Sequence, residues 1–134
     1  MNNKKEKLSL LSEMIALVRS DHDINQREYD FINAMAQHME VGQEELEVLF
    51  TRKETPYTPP QAEAERILQF HRLVLLMNMD QQQRPNEMRT LKEFGLRMGL
   101  NPVAMDRVLM EMHSYPDKVL PPGVLINIFK TYYN

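Results

Sequence analysis

Two short stretches gather the side chains best suited to chemistry. The first reads Ser20-Asp21-His22-Asp23-Ile24-Asn25-Gln26-Arg27-Glu28, with oxygen-bearing side chains alternating at Asp21, Asp23 and Asn25. Hard divalent cations take such oxygens, and a calcium loop offers them at its first, third and fifth positions. The EF-hand pattern then stops, because Gln26 stands where the sharp turn needs glycine and Ile32 where a bidentate Glu is needed. What remains is a looser divalent-cation site of Asp21, Asp23 and Glu28, which His22 could join. The same residues have a second reading. Asn25 and Glu28 show the N-cap and N3 spacing of a capping box, in which both side chains serve backbone N–H groups. The second stretch, Asp80-Gln81-Gln82-Gln83-Arg84, keeps one carboxylate and adds a cation, which makes it a poor metal site. Glu87, two residues after Pro85, falls at the matching N3 position of a helix starting there.

Other chemistry is thinly represented. The chain has no Cys, so disulfide scaffolds, thiolate nucleophiles and Cys-ligated metals are excluded. His22, His38, His71 and His113 lack the i, i+4 pairing of a helical zinc site, and there is neither a GxSxG nor a glycine-rich phosphate loop. No catalytic constellation is visible, and the expectation is a protein without enzymatic activity. Leu91 to Leu109 has the order of a helix-turn-helix, with Gly95, a turn at Gly99 and a helix from Pro102. A DNA-binding regulator is therefore the alternative reading. The would-be recognition helix carries Asp106 and Glu111 beside Arg107, and the chain has a net charge of −3, so no nucleic-acid partner is expected.

The elements that must position these groups are helical throughout. Apolar residues recur at helical spacing in seven segments, centred on Leu11, Ile32, Leu46, Phe70, Leu91, Met105 and Ile128. Pro60, Pro85, Pro102 and Pro122 stand ahead of such stripes, where a missing N–H costs nothing. Asn101 is an N-cap, and Gly99 before Leu100 is a left-handed C-terminal cap. Most of the eleven Met fall on the stripes and read as core filling. With 134 residues, the chain is one domain. An apolar run such as Leu73–Met77, which no other exceeds, is far below the roughly 18 residues of a membrane span, and the expected setting is the cytoplasm.

Thr51–Pro60 divides the chain into halves of about 8–51 and 61–113, followed by a closing helix at about 121–133. Shifted by 59 positions, residues 14–50 lie on 73–109 without a gap, so that Ile15 meets Val74, Ile32 meets Leu91, and Leu46 meets Met105. Identity is low, but the apolar register is kept. The pattern predicts an all-α fold of about seven helices, made of two pseudo-repeated three-helix units packed into a bundle.

With those features in place, the chain resembles the TerB-like (tellurite-resistance protein B-like) family. The carrying residues are Ile15–Ser20 with the loop Asp21 to Glu28, similar to that family's helix and Asp-Gly-Glu-Ile-Asp-x-x-Glu loop. Met39–Leu49 is similar to its Leu-Gly-Leu-Ser-Pro-Glu-Glu-Leu pattern, and Leu73–Leu109 looks like the second copy. The likeness covers about residues 8 to 112. It implies a non-enzymatic protein-interaction or scaffolding role in stress response, with an unidentified protein partner, peripheral association with a membrane complex and binding of a divalent metal ion. A homodimer is compatible with that role. The chain departs from the pattern where His22 replaces the loop glycine, where Glu40 replaces the turn glycine, and where the second loop has lost most of its acids.

Overall fold

Proline and asparagine set several of the helix starts. In the computed structural model, which describes residues 3–20, 23–52, 58–80 and 85–132, Pro102 and Pro122 occupy the first helical position of their helices. Asn3, Asn25 and Asn101 stand as N-caps, each accepting from a backbone N–H of the first turn. The resulting helices are α1 (Lys4–Arg19), α2 (Gln26–His38), α3 (Gln43–Thr51), α4 (Glu63–Met77), α5 (Pro85–Arg97), α6 (Pro102–Glu111) and α7 (Pro122–Thr131). Short 3-10 turns cover Asn78–Asp80, Met112–Ser114 and Pro116–Lys118. There is no strand among the described residues. None of their helices is long and apolar enough to cross a membrane.

Corresponding helices start 59 positions apart: Lys4 and Glu63, Gln26 and Pro85, Gln43 and Pro102. The turns between the second and third helix of each set also correspond. Glu40 (φ 60°) and Gly99 (φ 79°) both take the left-handed conformation. Val41 N–H then donates back to Ala36 O at 2.8 Å, and Leu100 N–H to Gly95 O at 3.0 Å, as in a Schellman cap. Glycine adopts that conformation freely, whereas Glu40 holds it against its own Cβ.

The core lies between α1 and α4. α1 packs on α2, α3, α4 and α5, and α4 packs on α1, α5 and α7. Leu10, Leu11, Met14 and Leu17 of α1 and Phe70, Leu73 and Leu76 of α4 are fully buried, each contributing about 2 kcal/mol by leaving water. Met39, Met77, Met98, Met105 and Met112 are also buried, as the stripes predict, while Met35 and Met88 on the same stripes are half-buried. The closing helix is tied at both ends. His71 Nε2–H donates to Leu120 O at 2.8 Å just before α7, and Asn101 Nδ2 donates to Tyr132 O at 2.6 Å just after it. Phe129 of α7 meets Phe70 edge-on, with ring centroids 6.1 Å apart.

Candidate functional site

The first interhelical loop is shaped by the start of α2. Asn25 Oδ1 accepts from Glu28 N–H at 2.9 Å, and Glu28 Oε1 accepts from Asn25 N–H at 3.1 Å, which closes the capping box. Glu28 is buried in this role, while Asp23 is exposed. Asp21 and His22 lie outside the described residues, as does the segment 81–84 of the second loop. Glu87, the counterpart of Glu28, is likewise buried in the first turn of its helix. Among the described residues no group of three or more His, Asp or Glu side chains is placed to hold a metal ion.

Beside this loop lies a cleft of about 370 Å³ lined by Arg19, Ile24, Asn25, Gln26, Tyr29 and Phe50. The Tyr29 and Phe50 rings are 5.3 Å apart, and the Arg19 guanidinium sits 5.8 Å from the Phe50 centroid. Tyr29 Oη donates to Glu47 Oε1 at 3.1 Å, and Gln43 Nε2 donates to the same oxygen at 2.8 Å. The cleft offers a cation, two amides and two rings, and has no nucleophile–base pair among its walls.

A second polar feature joins the two sets of helices. Glu13 of α1 is only 1% exposed, and its Oε2 stands 3.5 Å from Arg97 Nη2 of α5. Burial pushes the Glu13 carboxyl up to about 7, against the pull of the Arg97 charge. Ser12 Oγ and both side-chain polar atoms of Gln69 are buried without hydrogen-bond partners in the same α1–α4 layer. Burial also lowers His71, whose neutral ring serves the Leu120 carbonyl.

The third feature is the α5–α6 hairpin. Lys92 Nζ meets Asp106 Oδ1 at 2.7 Å across the two helices, and Arg107 Nε meets Glu111 Oε1 at 2.7 Å along α6. Leu96 lies one turn from Lys92, and Val103 one turn from Asp106, so the two apolar side chains border one seam. Leu96 is 54% exposed, Val103 55% and Met110 67%. Beyond Met110 opens a cleft of about 510 Å³ lined by Arg107, Met110, Glu111, Ser114 and Tyr115.

Sequence reasoning singled out the loop from Asp21 to Glu28 and missed both of these other features. Glu13 sits inside an apolar stripe, where a carboxylate is read as the solvent edge of a helix. The apolar trio had a legible signal in the 59-position shift, which places Leu96 on Gln37 and Val103 on Glu44 and, carried one residue further, Met110 on Thr51. Comparison with known protein families, with curated proteins and with solved structures gives no significant match for this chain.

Proposed function

We propose that the chain is a TerB-like, non-enzymatic cytoplasmic module acting by protein–protein contact in stress response, built from two copies of a three-helix unit. The observation that carries this reading is the set of exposed apolar residues Leu96, Val103 and Met110. At the corresponding positions of the first half, Gln37, Glu44 and Thr51 are exposed and polar. The fold is therefore content with polar residues there. Apolar groups at those places keep half or more of their surface in water until another surface covers them. The common offset of the helix starts and the paired left-handed turns support the duplication.

The cation clause of the reading rests on Asp21, Asp23 and Glu28, with Glu28 Oε1 engaged at the Asn25 N–H and Asp23 open to solvent. A DNA-binding reading of the α5–α6 hairpin meets α6 with its cation, Arg107, held by Glu111, and Lys92 beside it held by Asp106. Neither is set out for phosphate.

Affinity capture tests the interaction reading with three chains: the unaltered protein, Val103→Glu and Glu44→Gln. A protein partner retained by the first and third but lost from the second supports it. Equal capture by all three overturns it. Thermal melts in millimolar Ca²⁺, Mg²⁺ or Zn²⁺ test the cation clause, because a ligand that binds only the folded state raises stability. A rise that disappears in Asp23→Asn supports the clause, and an unchanged melt removes it.

A further inference from the structure

We infer that the outer face of α6 is the contact between two copies of this chain, with the two α6 helices antiparallel and Arg107 of each against Glu111 of the other. This deepens the interaction reading above and rests on it. Three observations select a second copy as the occupant.

The first is charge order. Along α6 a cation at Arg107 is followed by an anion at Glu111, one turn on and on the same outer face. Read antiparallel, that pattern is its own complement. An isologous contact requires such self-complementarity. Arginine before glutamate is also the weaker order for a pair within one helix, so exchange of partners between copies sacrifices little.

The second is shape. If Arg107 of one copy lies opposite Glu111 of the other, Val103 falls opposite Ser114 and Tyr115 of the second copy. Those two residues line the cleft of about 510 Å³ beyond Met110. Each exposed Val103 is thus delivered to a cavity, and the Met110 side chains flank the axis.

The third is charge exclusion. The α2–α3 end exposes Asp30, Glu40, Glu44 and Glu47 against Arg27, with Glu45 held by Lys4 of α1 at 2.7 Å, so the excess of carboxylates makes two copies repel there. On the α5–α6 hairpin, Lys92 is neutralised by Asp106 and Arg107 by Glu111. The ten residues of α6 span about 15 Å, so one face of it falls short of the roughly 800 Å² per partner of a standard interface. The dimer is accordingly weak, with dissociation at micromolar concentration or above.

Sedimentation equilibrium of the full chain from about 1 µM to about 1 mM measures it directly. The expected result is a monomer–dimer equilibrium. Met110→Glu changes a residue that is 67% exposed, so folding is untouched while the dissociation constant rises at least about tenfold. Arg107→Glu weakens association comparably, and the swap Arg107→Glu with Glu111→Arg restores it. A monomer throughout the range overturns the inference, and so does a dimer indifferent to Met110→Glu and Arg107→Glu. If a different protein is captured through Val103 while the chain stays monomeric, the interaction reading survives and the homodimer does not.

Discussion

The α2–α3 hairpin shows solvent five carboxylates and one guanidinium, and the α5–α6 hairpin shows it Arg89, Lys92, Glu93, Arg97, Asp106, Arg107 and Glu111 in near balance. The helices that carry these residues begin at matching places, and the turns within the two hairpins have the same left-handed cap. Backbone path and surface chemistry have therefore been set separately. Burial constrains the inner stripe, where Ile32 corresponds to Leu91 and Leu46 to Met105. Nothing in the packing constrains the outer one, so its composition is free to differ between the two hairpins. The same contrast appears inside. Glu13 reaches Arg97 from the first half to the second, whereas the counterpart of Arg97 is the exposed His38.

That one-sided bridge gives the largest expected effect. Glu13 titrates near 7 when folded and near 4.5 when exposed, so the folded state binds its proton more tightly. Stability from this group is complete below pH 4.5 and is lost as pH rises to about 7, a loss of about 3 kcal/mol. Glu13→Gln should flatten that slope and melt above the unaltered protein at pH 8. Denaturation at several pH values checks it, and parallel profiles would refute it. His71 contributes the opposite sign, because its lowered folded value makes stability fall as pH drops below 6.5. The variant must therefore be compared with the parent at each pH.

The next effect concerns Gly95, whose counterpart is Ala36. A Cβ at Gly95 would collide with the sulfur of Met105, which is buried and has no solvent to swing into. Gly95→Ala should cost about 1–2 kcal/mol despite its better helix propensity. Adding Met105→Leu, which recreates the first-half pair Ala36 and Leu46, should recover most of that in urea denaturation. Failure of the rescue would mean that the two cores are not interchangeable. Smaller again are the turns. Glu40→Gly should stabilise by about 1 kcal/mol and Gly99→Ala destabilise by about as much, since both positions are left-handed. Opposite shifts in the melting midpoint are expected, and shifts of like sign would break the correspondence. The smallest effect belongs to Lys92→Ala. Its ion pair with Asp106 is about half exposed, so a change of no more than about 0.5 kcal/mol is expected, vanishing in high salt.

Much of the architecture could be read from the chain because it is written in residues that act locally. Asn25 and Glu28 announced a capping box, and Pro102 and Pro122 announced helix starts; each needs only its own first turn. The first helix was harder to delimit. It begins at Lys4, ahead of the expected residue 8, because Asn3 caps it and the first turn carries no apolar stripe to detect. Long-range features were out of reach for a different reason. Arg19, Tyr29 and Phe50 meet only after three helices have folded together, and no spacing rule links them. Buried Glu13 and Gln69 contradict the rule that polar types face water, so a pattern built on that rule assigns them to the wrong side. For the loop from Asp21 to Glu28, the capping half of the reading is borne out in the contacts of Asn25 and Glu28, while Asp21 and His22 fall outside the described residues.

The ties that hold α7 carry a consequence for the order of assembly. Helices α1, α2 and α3 touch one another, so a chain emerging amino end first pairs them early, while the rest of the buried face of α1 waits for α4. The second half waits longer still. The flank of α4 and the N-cap of α6 are completed by Leu120, Phe129 and Tyr132, which follow both helices in the chain. Until residues 120–132 have joined, that side of α4 stands open, and the partly assembled domain exposes apolar surface that favours aggregation.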